Sequence, residues 1–155
     1  MGKPEFVYVT YIATTAERLW DALTDGQFTR QYWYDRRIES SWEAGAPLRF
    51  YDGASDTITD EGVVLVADRP HRLAYTFRYT GQPADQPASR VTFSLEPGDG
   101  LVKLTLVHDQ IGAEDAVAGW REGWSPILSS LKTFLESGRP LPQQRNIEQR
   151  SQETA

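Results

Sequence analysis

Two histidines are the only side chains in this 155-residue chain that titrate near neutral pH by default, and there is no cysteine. A histidine can pass a proton or hold a ligand by a hydrogen bond. His108 falls on the same strand face as Leu104 and Leu106, so it is the polar group expected inside the protein. Two readings stand open for it: a ligand partner or general base, or a core histidine satisfied by backbone or by a tyrosine. His71, in the turn DRPHR, reads as solvated. The two are far apart and lack HExxH-like spacing, so no metal site is expected. The acids Asp35, Asp52, Asp56, Asp60 and Glu61 offer carboxylates, but no context marks a pair, and most read as solvated. Arg36 and Arg37 beside Tyr34 and Asp35 read as a salt-bridge cluster at a cavity mouth or as a solvated face. No nucleophile elbow, P-loop or dinucleotide fingerprint occurs. No catalytic residue and no cofactor is therefore assigned.

The aromatic residues form the second set. Trp20, Trp33, Trp42, Tyr51, Tyr75, Phe77, Phe93, Trp120 and Trp124 fall on expected core faces or near helix ends, and Leu128 joins them. They read either as ordinary packing or as the lining of a cavity for an apolar ligand. In the second case tyrosine hydroxyls, indole N–H groups and His108 would fix its orientation.

The elements that must position these residues follow from periodicity. Glu5–Ile12 is rich in β-branched and aromatic residues and predicts a strand. Thr14 reads as an N-cap, with Glu17 closing a capping box. The helix that follows turns Leu19, Trp20 and Leu23 inward and ends at Asp25-Gly26, and a short second helix is expected over Gln27–Trp33. Strands are then expected over Arg37–Trp42, Pro47–Tyr51, Glu61–Ala67, Arg72–Tyr79, Arg90–Glu96 and Leu101–Asp109. Period-2 alternation turns Leu73, Tyr75, Phe77 and Tyr79 to one side, then Val91, Phe93 and Leu95, then Val102, Leu104, Leu106 and His108. Thr80–Pro87 reads as a polar loop, and PGDG at 97–100 as a hairpin turn. Ala113–Gly138 predicts one long helix. Val117, Trp120, Trp124, Ile127, Leu128, Leu131, Phe134 and Leu135 make its apolar stripe. Pro126 in mid-helix removes the bond to the Glu122 carbonyl and predicts a bend there.

Consecutive strands joined by short turns imply an antiparallel meander, and the last helix has the stripe to cover one of its faces. Length predicts one domain over 1–141 and a disordered polar tail over 142–155. A net charge of −6 and a pI near 4.9 argue against nucleic acid and against an anionic membrane surface. No run approaches the roughly 20 apolar residues of a membrane span, and the N-terminus lacks a signal-peptide h-region, so the expected compartment is the cytoplasm.

Several segments together resemble one family. ERLWDALTDGQFTRQYW resembles the first helices of the Hsp90-ATPase-activator-homologue (AHSA1-like) group of the START-like, or SRPBCC, superfamily. EGVVLVADRPHRLAYTF resembles its central strands. SRVTFSLEP with VKLTLVHDQI resembles its last hairpin, and GWREGWSPILSSLKTFLESG its final helix. The resemblance runs from about Glu5 to Leu141. It implies the α+β helix-grip (Bet v 1-like) fold: two short helices after the first strand and a curved antiparallel sheet of six or seven strands around the C-terminal helix. A hydrophobic cavity lies between sheet and helix in that fold. Relatives bind lipids, sterols or polyketides, some catalyse cyclisation or hydrolysis, and the namesake cochaperone stimulates Hsp90. The function expected here is binding of an apolar, lipid-like or polyketide-like small molecule. The alternatives are a cyclase or hydrolase using the same cavity, or a module that docks on an Hsp90-type chaperone. A homodimer is a further expected option.

Overall fold

A computed structural model of the chain describes residues 5–112 and 114–142, and the side chains of all of these except 114–119. The expected tail beyond residue 142, and Val117 of the helical stripe, fall outside what is described.

The described chain runs β1 (Phe6–Ile12), α1 (Ala16–Thr24), α2 (Gly26–Tyr32), β2 (Arg36–Ser40), β3 (Pro47–Asp52), β4 (Ile58–Asp68), β5 (Arg72–Tyr79), β6 (Ser89–Pro97), β7 (Val102–Asp109) and α3 (Glu114–Ser137). The strands make one seven-stranded sheet in the order β1-β7-β6-β5-β4-β3-β2, antiparallel throughout. Only the β1–β7 pairing departs from a simple meander. It joins the first strand to the last and leaves α1 and α2 to cross over the sheet between β1 and β2.

The period-2 faces predicted for β5, β6 and β7 are the buried ones. Leu73, Tyr75 and Phe77, then Val91, Phe93 and Leu95, then Val102, Leu104, Leu106 and His108, are all withdrawn from solvent. Tyr79 continues the β5 row but is 48% exposed and lines a surface hollow. Leu19, Trp20 and Leu23 of α1 and Trp124, Ile127, Leu128, Leu131 and Leu135 of α3 close the same core.

α3 continues through Pro126 without a break, so any bend leaves the helix continuous. Its C-terminal end is fastened to the end of β1. Lys132 Nζ donates to the Tyr11 carbonyl at 2.6 Å, and Glu136 accepts from Lys132 and from the Ala13 amide, both at 2.8 Å.

Several sequence expectations are corrected. The N-cap of α1 is Thr15, not Thr14: Thr15 is extended (φ −100°, ψ 157°) and its hydroxyl accepts from the Arg18 amide. The Thr14 hydroxyl is buried without a partner. β2 begins at Arg36 and stops at Ser40, because Trp42 takes a positive φ of 60° that a strand does not accommodate. β4 is longer than Glu61–Ala67 and begins at Ile58. Asp60 is not solvated: it is 3% exposed and held by Arg36 Nη1 at 3.2 Å and Thr59 Oγ1 at 2.8 Å. Burial pushes its carboxyl pKa up, against the pull of Arg36 and Thr59.

Gly62 lies where β4 crosses closest to β5. A Cβ there would collide with the Thr76 carbonyl oxygen, while the Thr76 hydroxyl accepts from the Val63 amide at 2.8 Å. Gly62→Ala must therefore spread two paired strands rather than move a flexible side chain. It is expected to cost about 2 kcal/mol, read from urea unfolding, whereas a loss under about 0.5 kcal/mol would mean that the strands yield easily.

Candidate functional site

The inner faces of β3, β5, β6 and β7 and the buried stripe of α3 meet in one cluster of rings. Trp33 follows α2 and lies 4.8 Å from Phe50 and 5.1 Å from Trp124, centroid to centroid. Phe50 lies 5.7 Å from Phe77, and Phe77 lies 5.3 Å edge-on from Trp120. Phe93 lies 6.0 Å from Trp124 and 6.3 Å from Tyr75. Most of these pairs are tilted or edge-to-face, the arrangement that the ring quadrupole favours.

His108 stands in the middle of the cluster, fully buried, with its ring 4.4 Å from that of Trp120. Both of its nitrogens are engaged. The Trp124 indole N–H donates to Nδ1 at 2.9 Å, and Nε2 lies 2.7 Å from the Ser89 hydroxyl, which is 3.0 Å from the Phe77 carbonyl. An indole N–H only donates. Nδ1 must therefore be the bare nitrogen, Nε2 carries the proton and gives it to Ser89, and Ser89 gives its own to the carbonyl. Every proton in this relay points the same way. Desolvation pushes the His108 pKa down to about 4, against the opposing pull of Asp109. Asp109 itself is clamped by Arg90 through two bonds, of 3.0 and 2.6 Å.

A general base works best with a pKa near the operating pH and with a free nitrogen. His108 has neither, so the structure favours the core reading of this residue, with side-chain partners in place of backbone.

Trp120, at the edge of the cluster, is half-buried and also lines a surface hollow of about 450 Å³. The polar loop after β5 (Tyr79, Gln82, Asp85, Gln86 and Pro87), Ser89, and Gln110–Gly112 complete its walls. This hollow lies at the opposite end of α3 from the Lys132–Glu136 fastening.

Of the residues singled out from sequence, Trp33, Tyr75, Phe77, Phe93, His108, Trp120 and Trp124 come together here. Leu128 and Trp20 are buried in the same core without adding to the ring contacts. Two stand elsewhere. Trp42 borders a shallow, open depression beside α1 and β2. Tyr51 follows the inward-facing Leu48 and Phe50 and lies 4.7 Å under the Arg37 guanidinium. Arg37 also donates to the Gly53 carbonyl and pairs with Glu39 at 3.4 Å, and Arg36 pairs with Asp60 at 3.2 Å, so the basic run is ion-paired.

Ser89 and Phe50 were missed from sequence. Each could have been found by extending an alternation by one step, Ser89 from Val91 and Phe50 from Leu48. Among the described residues, no group of three or more His, Cys, Asp or Glu side chains is placed to hold a metal ion, and no helix is long and apolar enough to cross a membrane.

A seven-stranded antiparallel sheet gripping a long C-terminal helix, with two short helices after the first strand, is the helix-grip architecture of START-like domains. Residues 13–136 match the family described as Activator of Hsp90 ATPase homolog 1-like protein, and the chain belongs to that family. No curated protein matches the sequence significantly. Solved structures share the fold. An Hsp90 activator from Plasmodium falciparum superposes with a TM-score of 0.72 at 17% identity, over 85% of this chain and 96% of that one. The Aha1 dimer from Colwellia psychrerythraea gives 0.72 at 18%, over 86% and 97%. CalU16 from Micromonospora echinospora gives 0.69 at 20%, over 97% and 84%.

Proposed function

We propose that this protein binds an apolar, aromatic-containing small molecule at the mouth between β5, β6 and the N-terminal half of α3. The observation that carries the reading is the hollow of about 450 Å³ lined by the half-buried Trp120, whose ring also contacts Phe77 and His108 of the cluster. A hollow of that size suits a drug-sized ligand, and a flat indole with one exposed face is a natural stacking surface. The ring cluster forms the rigid back wall of this site, so Trp33, Phe77, Phe93, Trp124 and His108 support the ligand from behind. Affinity would come from apolar burial, at about 25 cal/mol per Å² before ordering costs.

The engaged nitrogens and low pKa of His108 favour binding over a cyclase or hydrolase reaction. A module that stimulates an Hsp90-type chaperone is the second reading, supported by family membership and by the fold shared with the Plasmodium falciparum Hsp90 activator. A chain without cysteine suits the reducing cytoplasm.

The fluorescent probe 1-aminoanthracene tests the reading. Saturable binding that quenches tryptophan emission is expected, and Trp120→Ala should weaken it roughly tenfold while leaving the fold intact by circular dichroism. Equal affinity in the folded variant would remove Trp120 from the site. Stimulation of an Hsp90 ATPase with no probe binding would favour the second reading.

A further inference from the structure

Resting on that binding site, the relay beneath it points to the chemistry of the ligand's polar group. Ser89 lines the hollow and is 7% exposed, so it is the point at which the relay meets the site. Its hydroxyl has one proton and two lone pairs. The proton is committed to the Phe77 carbonyl, and one lone pair receives the proton of His108 Nε2. The ring cannot turn this around, because the indole N–H of Trp124 occupies Nδ1 and can only donate. Ser89 is left with a single function toward the site, that of an acceptor.

The rim adds the Asp85 carboxylate, and the whole chain carries a net charge of −6. A carboxylate head, as on a fatty acid, would meet a spent hydroxyl and like charge. An aromatic ring bearing a hydroxyl or amine would find an acceptor waiting.

We propose that the site selects aromatic ligands carrying a neutral hydrogen-bond donor, of the phenol or arylamine class, and discriminates against carboxylates and against ethers of the same shape. Ser89 is the specificity-determining residue, and Trp124 sets its polarity through His108.

Three probes sharing one ring system decide the matter: 1-naphthol, 1-methoxynaphthalene and 1-naphthoate, each displacing 1-aminoanthracene from the unaltered protein at pH 7. One hydrogen bond to a half-enclosed acceptor predicts that naphthol binds roughly fivefold or more tightly than methoxynaphthalene, with naphthoate the weakest. In Ser89→Ala the His108 Nε2 proton is left facing the site. The preference for naphthol over methoxynaphthalene should then disappear, because the oxygen of either can accept from that proton, whereas a purely structural role for Ser89 would weaken all probes alike. Equal binding of the three by the unaltered protein, or naphthoate the tightest, overturns this inference and leaves the binding site standing. No binding of any probe, 1-aminoanthracene included, overturns both. The comparison on the unaltered protein decides even if Ser89→Ala does not fold.

Discussion

Trp124→Ala is expected to lower the unfolding free energy by about 3–5 kcal/mol, the range for removing a large buried aromatic. Trp124 is 1% exposed, packs against Trp33 and Phe93, and supplies the proton that satisfies His108 Nδ1. Truncation leaves both a void and an orphaned nitrogen. A domain's whole stability is about 5–15 kcal/mol, so this one change should remove a large part of it.

Trp124→Phe separates the two causes. It keeps most of the ring volume but deletes the N–H, and leaving a buried acceptor bare costs about 1–3 kcal/mol. Urea unfolding followed by far-ultraviolet circular dichroism measures both variants. Losses below about 1 kcal/mol in Trp124→Ala would show that the helix and sheet do not depend on this contact.

The second large effect is a pH dependence set by His108. In the unfolded chain its pKa is near the ordinary 6.5, while in the fold it is pushed down to about 4. Below pH 6.5 the unfolded chain therefore takes up a proton that the folded protein refuses, so the unfolding free energy decreases and the fold loses stability as pH falls from 6.5 toward 4. Above 6.5 both states are neutral at this residue, and it adds no slope. The full effect is on the order of 3 kcal/mol.

Carboxylates titrate in the same window. Burial raises the pKa of Asp60, while the Lys132 and Ala13 hydrogen bonds lower that of Glu136, so their contributions have opposite sign. His108→Gln isolates the histidine. A glutamine amide also offers one acceptor and one donor but has no proton to gain. The difference in unfolding free energy between the unaltered protein and this variant should shift by about 2–3 kcal/mol between pH 7.5 and pH 4.5, against the unaltered protein. A constant difference over that range would mean that His108 titrates normally.

Much of this architecture was legible because burial on one side of a sheet imposes a strict alternation. β5, β6 and β7 display it, and α3 shows the helical counterpart. What was not legible was decided by partners distant in the chain. Asp60 reads as a loop acid until Arg36, across β3, comes beside it. The start of β4 is hidden by polar Thr59 and Asp60, while Gly62, already within the expected strand, is required by the close passage of Thr76. Thr14 and Thr15 are chemically equivalent as caps, and only the backbone angles choose between them.

The site shows the same division. Its rings were visible as a set, but the direction of its hydrogen bonds depends on which ring nitrogen Trp124 reaches, and spacing carries no such information. Trp42 and Tyr51 do not join the set: Trp42 lies past the end of β2 at a positive φ, and Tyr51 alternates with the inward-facing Leu48 and Phe50.

Asp25 serves two helices at once. Its amide closes the last turn of α1 on the Asp21 carbonyl, and its carboxylate opens α2 by accepting from the Gln27 amide at 2.9 Å. A joint of one residue has no slack. Adding or deleting a residue there would rotate α2 by about 100° about its own axis, carrying the buried Thr29 and Tyr32 out of the core. An insertion or deletion is therefore expected to be poorly tolerated at the α1–α2 corner and better tolerated in the long loop between β5 and β6. That loop borders the hollow proposed to bind a ligand, so a change of length there alters the hollow without altering the fold.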